Sequence, residues 1–163
     1  MPTSRVNDIN MYYERHGQGE PLILVSGFSA DHTVWDEVLG TLSKQYEVIV
    51  FDNRGAGQTD IPEGPYSIKQ LAEDVVALCG SLNIKQAHFI GSSMGGYILQ
   101  ELAYQHPNLV KSAVITNSTF ATHTSFHYYV DAQLEMRKAN LPLATFYKAS
   151  CCWAFSFQFL SHP

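Results

Sequence analysis

The sequence predicts an α/β fold built on a mostly parallel sheet with flanking helices. Four short apolar runs have the composition of strands that are buried on both faces, namely residues 21–27, 47–52, 87–92 and 112–117. Helical patterns fill the gaps between these runs, so strands and helices alternate as in repeated βαβ units. The chain has 163 residues, of which 45% are hydrophobic, and this suffices for one globular domain with a sizeable core.

The elements at the start of the chain have weaker but readable signals. Residues 4–15 predict a β-hairpin, because Asn7 and Asp8 are residue types that favour a turn near its middle. A first helix is predicted over 32–44, because its apolar residues recur at i, i+3, i+4 and i+7 and therefore share one face. That face is expected to pack on the sheet.

Two further helices are marked at their ends. The second begins at Ser67, whose hydroxyl can cap the helix while Gln70 reaches back to it, and we expect the helix to end at Gly80. The third covers 94–106, with an apolar side facing the sheet, and Pro107 prevents its continuation. Both helices complete βαβ units.

The pattern changes after Thr119, where no further strand is evident and aromatic residues become dense. This part of the chain predicts a helical excursion, and aromatic residues at helical spacing are most often core residues. We therefore expect two regions, residues 1–119 and residues 120–163, with ordinary core packing for the aromatic side chains of the second.

Charge and cysteine content exclude several classes of function. A formal net charge of −5 and a pI near 5.7 leave no basic surface for phosphates, so neither nucleic acid nor an anionic membrane is an expected partner. The three cysteines, two of them adjacent, form neither a disulfide framework nor a zinc motif. The first residues lack the apolar core of a signal peptide. We expect a cytoplasmic protein that binds a small neutral or mildly polar ligand.

The strongest chemical signal is the G-x-S-x-G pattern of residues 91–95, which lies between a predicted buried strand and a predicted amphipathic helix. A tight turn there would hold Ser93 above the carboxyl end of the sheet, and the flanking glycines would avoid steric clashes. The Met94 backbone N–H, at the start of the helix, could then stabilise an oxyanion. The alternative interpretation is a Ser/Gly-rich turn without chemistry.

A second loop follows the first apolar run. Residues 26–30 read Ser-Gly-Phe-Ser-Ala, and a loop at this edge of the sheet can supply the second oxyanion N–H, for which Phe28 is in position. By itself, the segment is equally consistent with a plain βα turn. His32, which follows it closely, has two interpretations: it lines the pocket or, as we favour, it is an ordinary residue of the first helical turn.

The segment 51–60 contains Gly-x-Gly after a predicted strand, but it does not predict a nucleotide site. The third glycine of the dinucleotide fingerprint is replaced by Asp60, and no helix begins there. We interpret this segment as a sharp structural loop in which Asp52 and Arg54 hydrogen-bond neighbouring backbone. No cofactor and no metal site are expected.

These segments resemble the N-terminal portion of α/β-hydrolase-fold enzymes, close to 3-oxoadipate enol-lactonases, aminoacrylate hydrolases and related esterases. The resemblance spans about residues 4–119, and four segments carry it in family order: PLILVSGFSADHTVW, VIVFDNRGAGQTD, HFIGSSMGGYILQELA and HPNLVKSAVITNS. The DNRG segment and a WAFS-type segment at 153–156 indicate the branch in which a helical cap is inserted after the sixth strand.

The resemblance implies particular roles. Ser93 is the nucleophile, the amides of Phe28 and Met94 form the oxyanion hole, and the residues from about 120 onward begin the cap. One departure is Ser26, which stands where the family more often has a histidine before the glycine. Because that histidine is usually structural, the difference does not argue against catalysis.

The fold requires an acid and a histidine after the nucleophile, and the residues from 94 to 163 are too few to hold the cap, both remaining strands and both catalytic groups. Three later histidines, His123, His127 and His162, are each more typical of surface or packing positions than of a triad, and Asp131 has no strand end to hold it as the triad acid. We therefore expect a chain truncated before its triad acid and base. Without the C-terminal strands, the 112–117 strand would be an exposed edge that favours homo-oligomers.

The sequence thus predicts a cofactor-free serine hydrolase that acts on a small carboxylic ester, a lactone or a related carbonyl compound. Two alternatives stay open at this stage. One is a catalytically inactive short form that acts as a binding or assembly partner. The other keeps the fold and changes the chemistry, as in haloperoxidases and C–C bond hydrolases.

Overall fold

The computed structural model describes residues 2–121 and 124–161. These residues form six strands and six α-helices, which alternate between β3 and α4. The elements are β1 (Thr3–Val6), β2 (Ile9–His16), β3 (Glu20–Val25), α1 (Asp36–Leu42), β4 (Tyr46–Phe51), α2 (Ile68–Ser81), β5 (Ala87–Ser92), α3 (Met94–Gln105), β6 (Val110–Thr116), α4 (Thr124–Lys138), α5 (Leu143–Ala154) and α6 (Phe157–Leu160). None of these helices combines the length and apolarity needed to cross a bilayer.

The strands form one mixed sheet in the order β1-β2-β4-β3-β5-β6. Strands β4, β3, β5 and β6 run parallel, whereas β1 and β2 form an antiparallel hairpin that pairs with β4. Consequently the carboxyl ends of β3, β4 and β5, and the loops that follow them, meet at one edge of the sheet. The α/β class, the mostly parallel sheet and the hairpin around Asn7 and Asp8 are confirmed.

The core lies on both faces of the sheet because the central strands are apolar on both sides. One face packs against α2 and α3, and its buried side chains include Ile23, Phe89 and Leu99. The other face is smaller, and there Leu24 and Val50 pack with the partly buried Trp35 and Leu39. This two-sided burial explains why β3, β4 and β5 are continuous apolar runs in the sequence.

Some predicted boundaries differ from the structure. The predicted helix 32–44 is a 3-10 turn at His32–Trp35, capped by Asp31, followed by the short helix α1. Helix α2 does not end at Gly80. It continues to Ser81, and the chain leaves the helical direction at Asn83, whose φ of 59° lies in the left-handed region that asparagine tolerates.

The chain separates into two compact units, Met1–Phe120 and Ala121–Pro163. In the second unit, Ser150 Oγ donates a hydrogen bond to Gln133 Oε1 at 3.1 Å, and the guanidinium of Arg137 lies over the Phe146 ring. The expectation that the aromatic residues of this unit form an ordinary core is wrong, because no described residue after Phe120 is buried. The few helices of this unit cannot enclose a core of their own. Its role as the start of a cap stays a prediction.

Candidate active site

The turn between β5 and α3 presents Ser93 in a strained backbone conformation. Its φ of 53° and ψ of −117° fall outside the regions that L residues ordinarily adopt. Two hydrogen bonds hold the turn: Ser93 N–H donates to the Thr116 carbonyl at 3.0 Å, and Gly96 N–H donates to the Ser93 carbonyl at 2.9 Å. Strain of this kind costs about 1–3 kcal/mol and persists only where surrounding contacts enforce it.

The glycines around Ser93 are required by close backbone approaches. A Cβ at Gly91 would lie 2.5 Å from the carbonyl oxygen of Gly95, and a Cβ at Gly95 would lie 2.8 Å from the carbonyl carbon of Val25. Real Cβ atoms do not approach backbone this closely. Because these glycines allow α3 to begin directly against β3 and β5, Ser93 projects at the edge where the parallel strands end.

The loop after β3 lies beside the serine. A Cβ at Gly27 would be 3.2 Å from Ser93 Cβ and 3.7 Å from Ser93 Oγ, so the backbone that leads into Phe28 runs next to the hydroxyl. The first N–H groups of a helix have no partner within it, which leaves the Met94 N–H available at the start of α3. The structure therefore brings the predicted residues Ser93, Phe28 and Met94 to one edge of the sheet. Their roles stay predictions.

Ser26 braces the loop after β3. Its Oγ accepts a hydrogen bond from Trp35 Nε1 at 2.9 Å and donates one to the Asp31 carbonyl at 3.2 Å. Its own carbonyl accepts a hydrogen bond from Asn53 Nδ2 at 3.1 Å. The serine that departs from the family pattern is thus a buried structural residue, which ties both ends of the loop together and links the loop to the segment after β4.

Asp52 is the buried anchor of the neighbouring loop. Its carboxylate accepts hydrogen bonds from the backbone N–H groups of His32 at 2.7 Å and Gln58 at 2.8 Å, as expected for a residue that organises backbone. It also contacts the His32 ring, since Asp52 Oδ1 lies 2.8 Å from His32 Nδ1. The interpretation of His32 as an ordinary residue of a first helical turn is therefore incomplete, because sequence spacing does not show which carboxylate the ring meets.

Arg54 contradicts the expectation that it bonds neighbouring backbone. Its guanidinium pairs with the carboxylate of Asp74 on α2 through two hydrogen bonds of 2.8 Å and also contacts Asp8. The hydrogen bonds with Asp74 and then Asp8 raise the pKa of Arg54, and the Arg54 contact lowers the pKa of Asp8. A planar cation with five donors can serve two carboxylates at once. Arg54 therefore joins the hairpin, the loop after β4 and helix α2.

The histidines of the first unit each contact a carboxylate. Each ring faces a carboxylate oxygen within 3.0 Å, and the pairs are His16 with Glu14, His32 with Asp52, His88 with Glu20 and His106 with Glu73. Among the residues that the structure describes, no side chain hydrogen-bonds Ser93 Oγ. His127 and Asp131 lie on α4, in the second unit, whereas His123 and His162 lie outside the described residues.

Asp31, His32 and Asp52 bring three donor atoms within 4.8 Å of one another. His32 Nδ1 is hydrogen-bonded to Asp52 Oδ1 at 2.8 Å, and Asp31 Oδ1 accepts from the Thr33 N–H at 3.0 Å. We assign no metal ligand in the described ranges 2–121 and 124–161.

Comparisons with known proteins agree with the fold described above. Residues 20–150 match the family model described as the alpha/beta hydrolase fold. A protein named as a carbamate hydrolase, RutD, of Azorhizobium caulinodans is 33% identical over 117 residues, which are 72% of this chain and 44% of that protein. The 3-oxoadipate enol-lactonase 2 of Acinetobacter baylyi is 32% identical over 144 residues, which are 87% of this chain and 54% of that protein.

A solved structure agrees as well. The enol-lactonase of Burkholderia xenovorans superposes with a TM-score of 0.74 at 26% sequence identity, covering 91% of this chain and 66% of that one. The chain therefore belongs to the α/β-hydrolase fold family, as the sequence resemblance implies. It spans about half the length of the curated relatives it matches, 44% of one and 54% of the other.

Proposed function

We propose that Ser93 is the nucleophile of a serine hydrolase that acts on a small carboxylic ester, lactone or similar carbonyl compound. The observation that carries this proposal is the backbone of Ser93, held at φ 53° between a buried strand and the start of α3, with Gly27 beside its hydroxyl. A strained strand-to-helix turn of this kind exposes the nucleophile in α/β hydrolases.

In the proposed reaction, Ser93 Oγ attacks the substrate carbonyl and forms a tetrahedral oxyanion. The N–H groups of Met94 and Phe28 donate hydrogen bonds to that oxyanion, and the positive end of the α3 dipole adds to its stabilisation. Loss of one such donor typically costs about 2.7–4 kcal/mol of transition-state stabilisation. The ester or lactone bond then breaks, and water releases the acyl group from the serine.

The general base and its acid are proposed to come from residues outside these 163. A serine hydroxyl needs a base near neutral pH, and none of the four histidines of the first unit, all of them described by the structure, hydrogen-bonds Ser93 Oγ. His123, His127 and His162 are the remaining histidines of the chain. The substrate class is supported by the names of two relatives, an enol-lactonase and a carbamate hydrolase, whose substrates contain an acyl carbonyl.

A fluorophosphonate probe tests the nucleophile. In the protein produced from its natural coding sequence, we expect covalent labelling at Ser93, with peptide mapping to identify the serine. Ser93→Ala should abolish labelling, whereas Ser92→Ala, the matched change one residue earlier, should retain it. A correctly folded protein that stays unlabelled at Ser93 would refute the proposal.

The same probe locates the base. If the base lies outside the 163 residues, the probe should label the 163-residue chain alone much more slowly than the protein produced from its natural coding sequence. Equal rates would place the base on His123, His127 or His162, and single asparagine variants would then identify it.

A non-catalytic binding function is the second candidate, and the missing contact between Ser93 Oγ and any described histidine favours it. An esterase assay distinguishes the two functions. Turnover that disappears in Ser93→Ala supports the hydrolase, whereas an inactive protein that binds an ester analogue without cleaving it supports the binding function.

We also propose a cytoplasmic location, which the free thiols of Cys79 and Cys151 support.

A further inference from the structure

The His32 ring lies between two carboxylates. Its Nδ1 is 2.8 Å from Asp52 Oδ1, and its Nε2 is 3.6 Å from Glu14 Oε1. The Asp52 side chain is fully buried, and the His32 side chain is only 13% exposed. A neutral imidazole carries one N–H donor, whereas an imidazolium carries two, so only the protonated ring can direct a donor at each carboxylate.

The surroundings of the ring favour the same charge state. Burial, which is the largest single influence, favours the neutral ring, but the hydrogen bond with Asp52 and the charges of Asp52, Glu14 and Asp31 outweigh it and raise the pKa of His32. The groups that face the ring or its carboxylate partners are Glu14 and Tyr12 from β2, His16 through Glu14, Asp31 from the preceding loop, and Asp52 from the end of β4. No described cation lies among them other than His16, when it is protonated.

The same histidine closes the loop that runs beside Ser93. The His32 backbone N–H donates to Asp52 Oδ1 at 2.7 Å, and the preceding carbonyl, of Asp31, accepts from Ser26 Oγ. Ser26 immediately precedes Gly27, whose backbone approaches the Ser93 hydroxyl. One carboxylate therefore holds both the ring and the main chain of His32, and the loop of residues 26–32 is fixed at its far end by this contact.

We propose that His32 is a positioning residue whose protonated ring holds the 26–32 loop against Asp52 and thereby places the Phe28 N–H for oxyanion binding. When the ring loses its proton, the donor toward Glu14 or the donor toward Asp52 is lost, and the far end of the loop loosens. The site would then be competent at lower pH and lose competence as the pH rises through the titration of His32. The catalytic part of this proposal rests on the proposed function of Ser93.

The raised pKa of His32 makes the stability of the folded protein depend on pH. Because the folded-state pKa of His32 is raised, the clamp contributes stability that is fully present below the ordinary histidine value of about 6.5. That contribution is lost as the pH rises through the higher, folded-state value.

Proton and nitrogen NMR of the His32 ring and the Phe28 amide tests the clamp without requiring activity. In the Ser93→Ala protein, we expect His32 to titrate above about 6.5 and the Phe28 amide shift to follow the same midpoint. His106, which pairs with Glu73 at 2.9 Å, is the matched control. His106→Asn should leave the Phe28 midpoint unchanged, whereas His32→Asn should remove it. The clamp would be overturned by a Phe28 amide chemical shift that does not change as His32 titrates. It would also be overturned by a His32 ring that is neutral at about pH 6, below the ordinary histidine pKa.

Kinetics of the active protein tests the catalytic consequence. His32→Leu should lower kcat by about 10-fold or more with little change in KM, since oxyanion donors act chiefly in the transition state. His32→Asn can offer a donor to Asp52 but carries no charge at any pH, so it should show the low kcat of the deprotonated protein throughout and lack the fall in kcat with rising pH. A pH profile identical in all three proteins would overturn the catalytic role. If Ser93 is not a nucleophile, no variant has activity to compare, but the NMR result still decides the clamp.

Discussion

Replacing Gly95 with alanine is expected to destabilise the protein, because the new methyl group would meet the backbone of a central strand. The alanine Cβ would lie closer than 3.0 Å to the Val25 carbonyl group and 3.1 Å from the Ser26 carbonyl oxygen. Val25 is the last residue of β3 and Ser26 follows it directly, and β3 is hydrogen-bonded to β4 on one side and β5 on the other. Relief therefore requires α3 or the sheet to move.

The magnitude follows from two opposing contributions. Overpacking in a rigid site costs about 1–3 kcal/mol or more, and contact with backbone places this site at the upper end. Alanine gains about 1 kcal/mol over glycine in a helix. The net loss is about 2 kcal/mol, which at a urea m-value of about 2 kcal/mol/M lowers the unfolding midpoint by about 1 M.

Urea unfolding, followed by circular dichroism, measures the effect. Gly80→Ala is the matched control, because Gly80 is also helical but a methyl group added there would have no heavy atom within 4 Å. It should raise the midpoint slightly, by about 0.3–0.5 M, through helix propensity alone. If the two variants shift the midpoint in the same direction, the close approach of α3 to β3 is not what the glycine accommodates.

Three further outcomes are expected. Asp74→Ala should cost about 1–3 kcal/mol in the free energy of unfolding, because it removes two of the four hydrogen bonds of the buried Arg54 guanidinium and leaves Asp8 as its carboxylate partner; a cost under about 0.5 kcal/mol would contradict this. Burial raises the pKa of the Cys79 thiol to about 12, so iodoacetamide at pH 8 should alkylate Cys79 only after unfolding, as site-resolved mass spectrometry can show, and rapid native alkylation would refute its burial. Strand β6 pairs only with β5 in the described sheet and leaves Val114 53% exposed, so we predict concentration-dependent dimers by light scattering that Val114→Lys weakens; a monomer at all concentrations would contradict this.

Much of the fold could be predicted because the signals are local. Parallel strands buried on both faces appear as unbroken apolar runs, and β3, β4 and β5 begin within one residue of the predicted runs. Helix α2 could be placed from Ser67, whose hydroxyl accepts the Gln70 N–H at 3.1 Å as predicted. The turn at Ser93 is readable because three glycines around one serine leave few structural alternatives.

The missed features depend on contacts between distant parts of the chain. Nothing near Arg54 in the sequence indicates that its partners are Asp8 on the hairpin and Asp74 on α2. The His32 clamp likewise joins residues that lie 20 positions apart. One available signal is the order of the parallel strands, since the loops after β3 and β4 must be neighbours and can pair a histidine with an aspartate.

The contacts that shape the Ser93 turn all come from the first unit: Val25 and Gly27 from the β3 side, and Thr116 and Ser118 from the β6 side. A chain that emerges from the ribosome amino end first has therefore presented every one of these partners by the time residue 120 is free. The contacts needed for the strained geometry of the serine are therefore available before the segments after residue 120 have emerged. Segments that follow residue 120 could then be exchanged during evolution while the Ser93 turn keeps its shape.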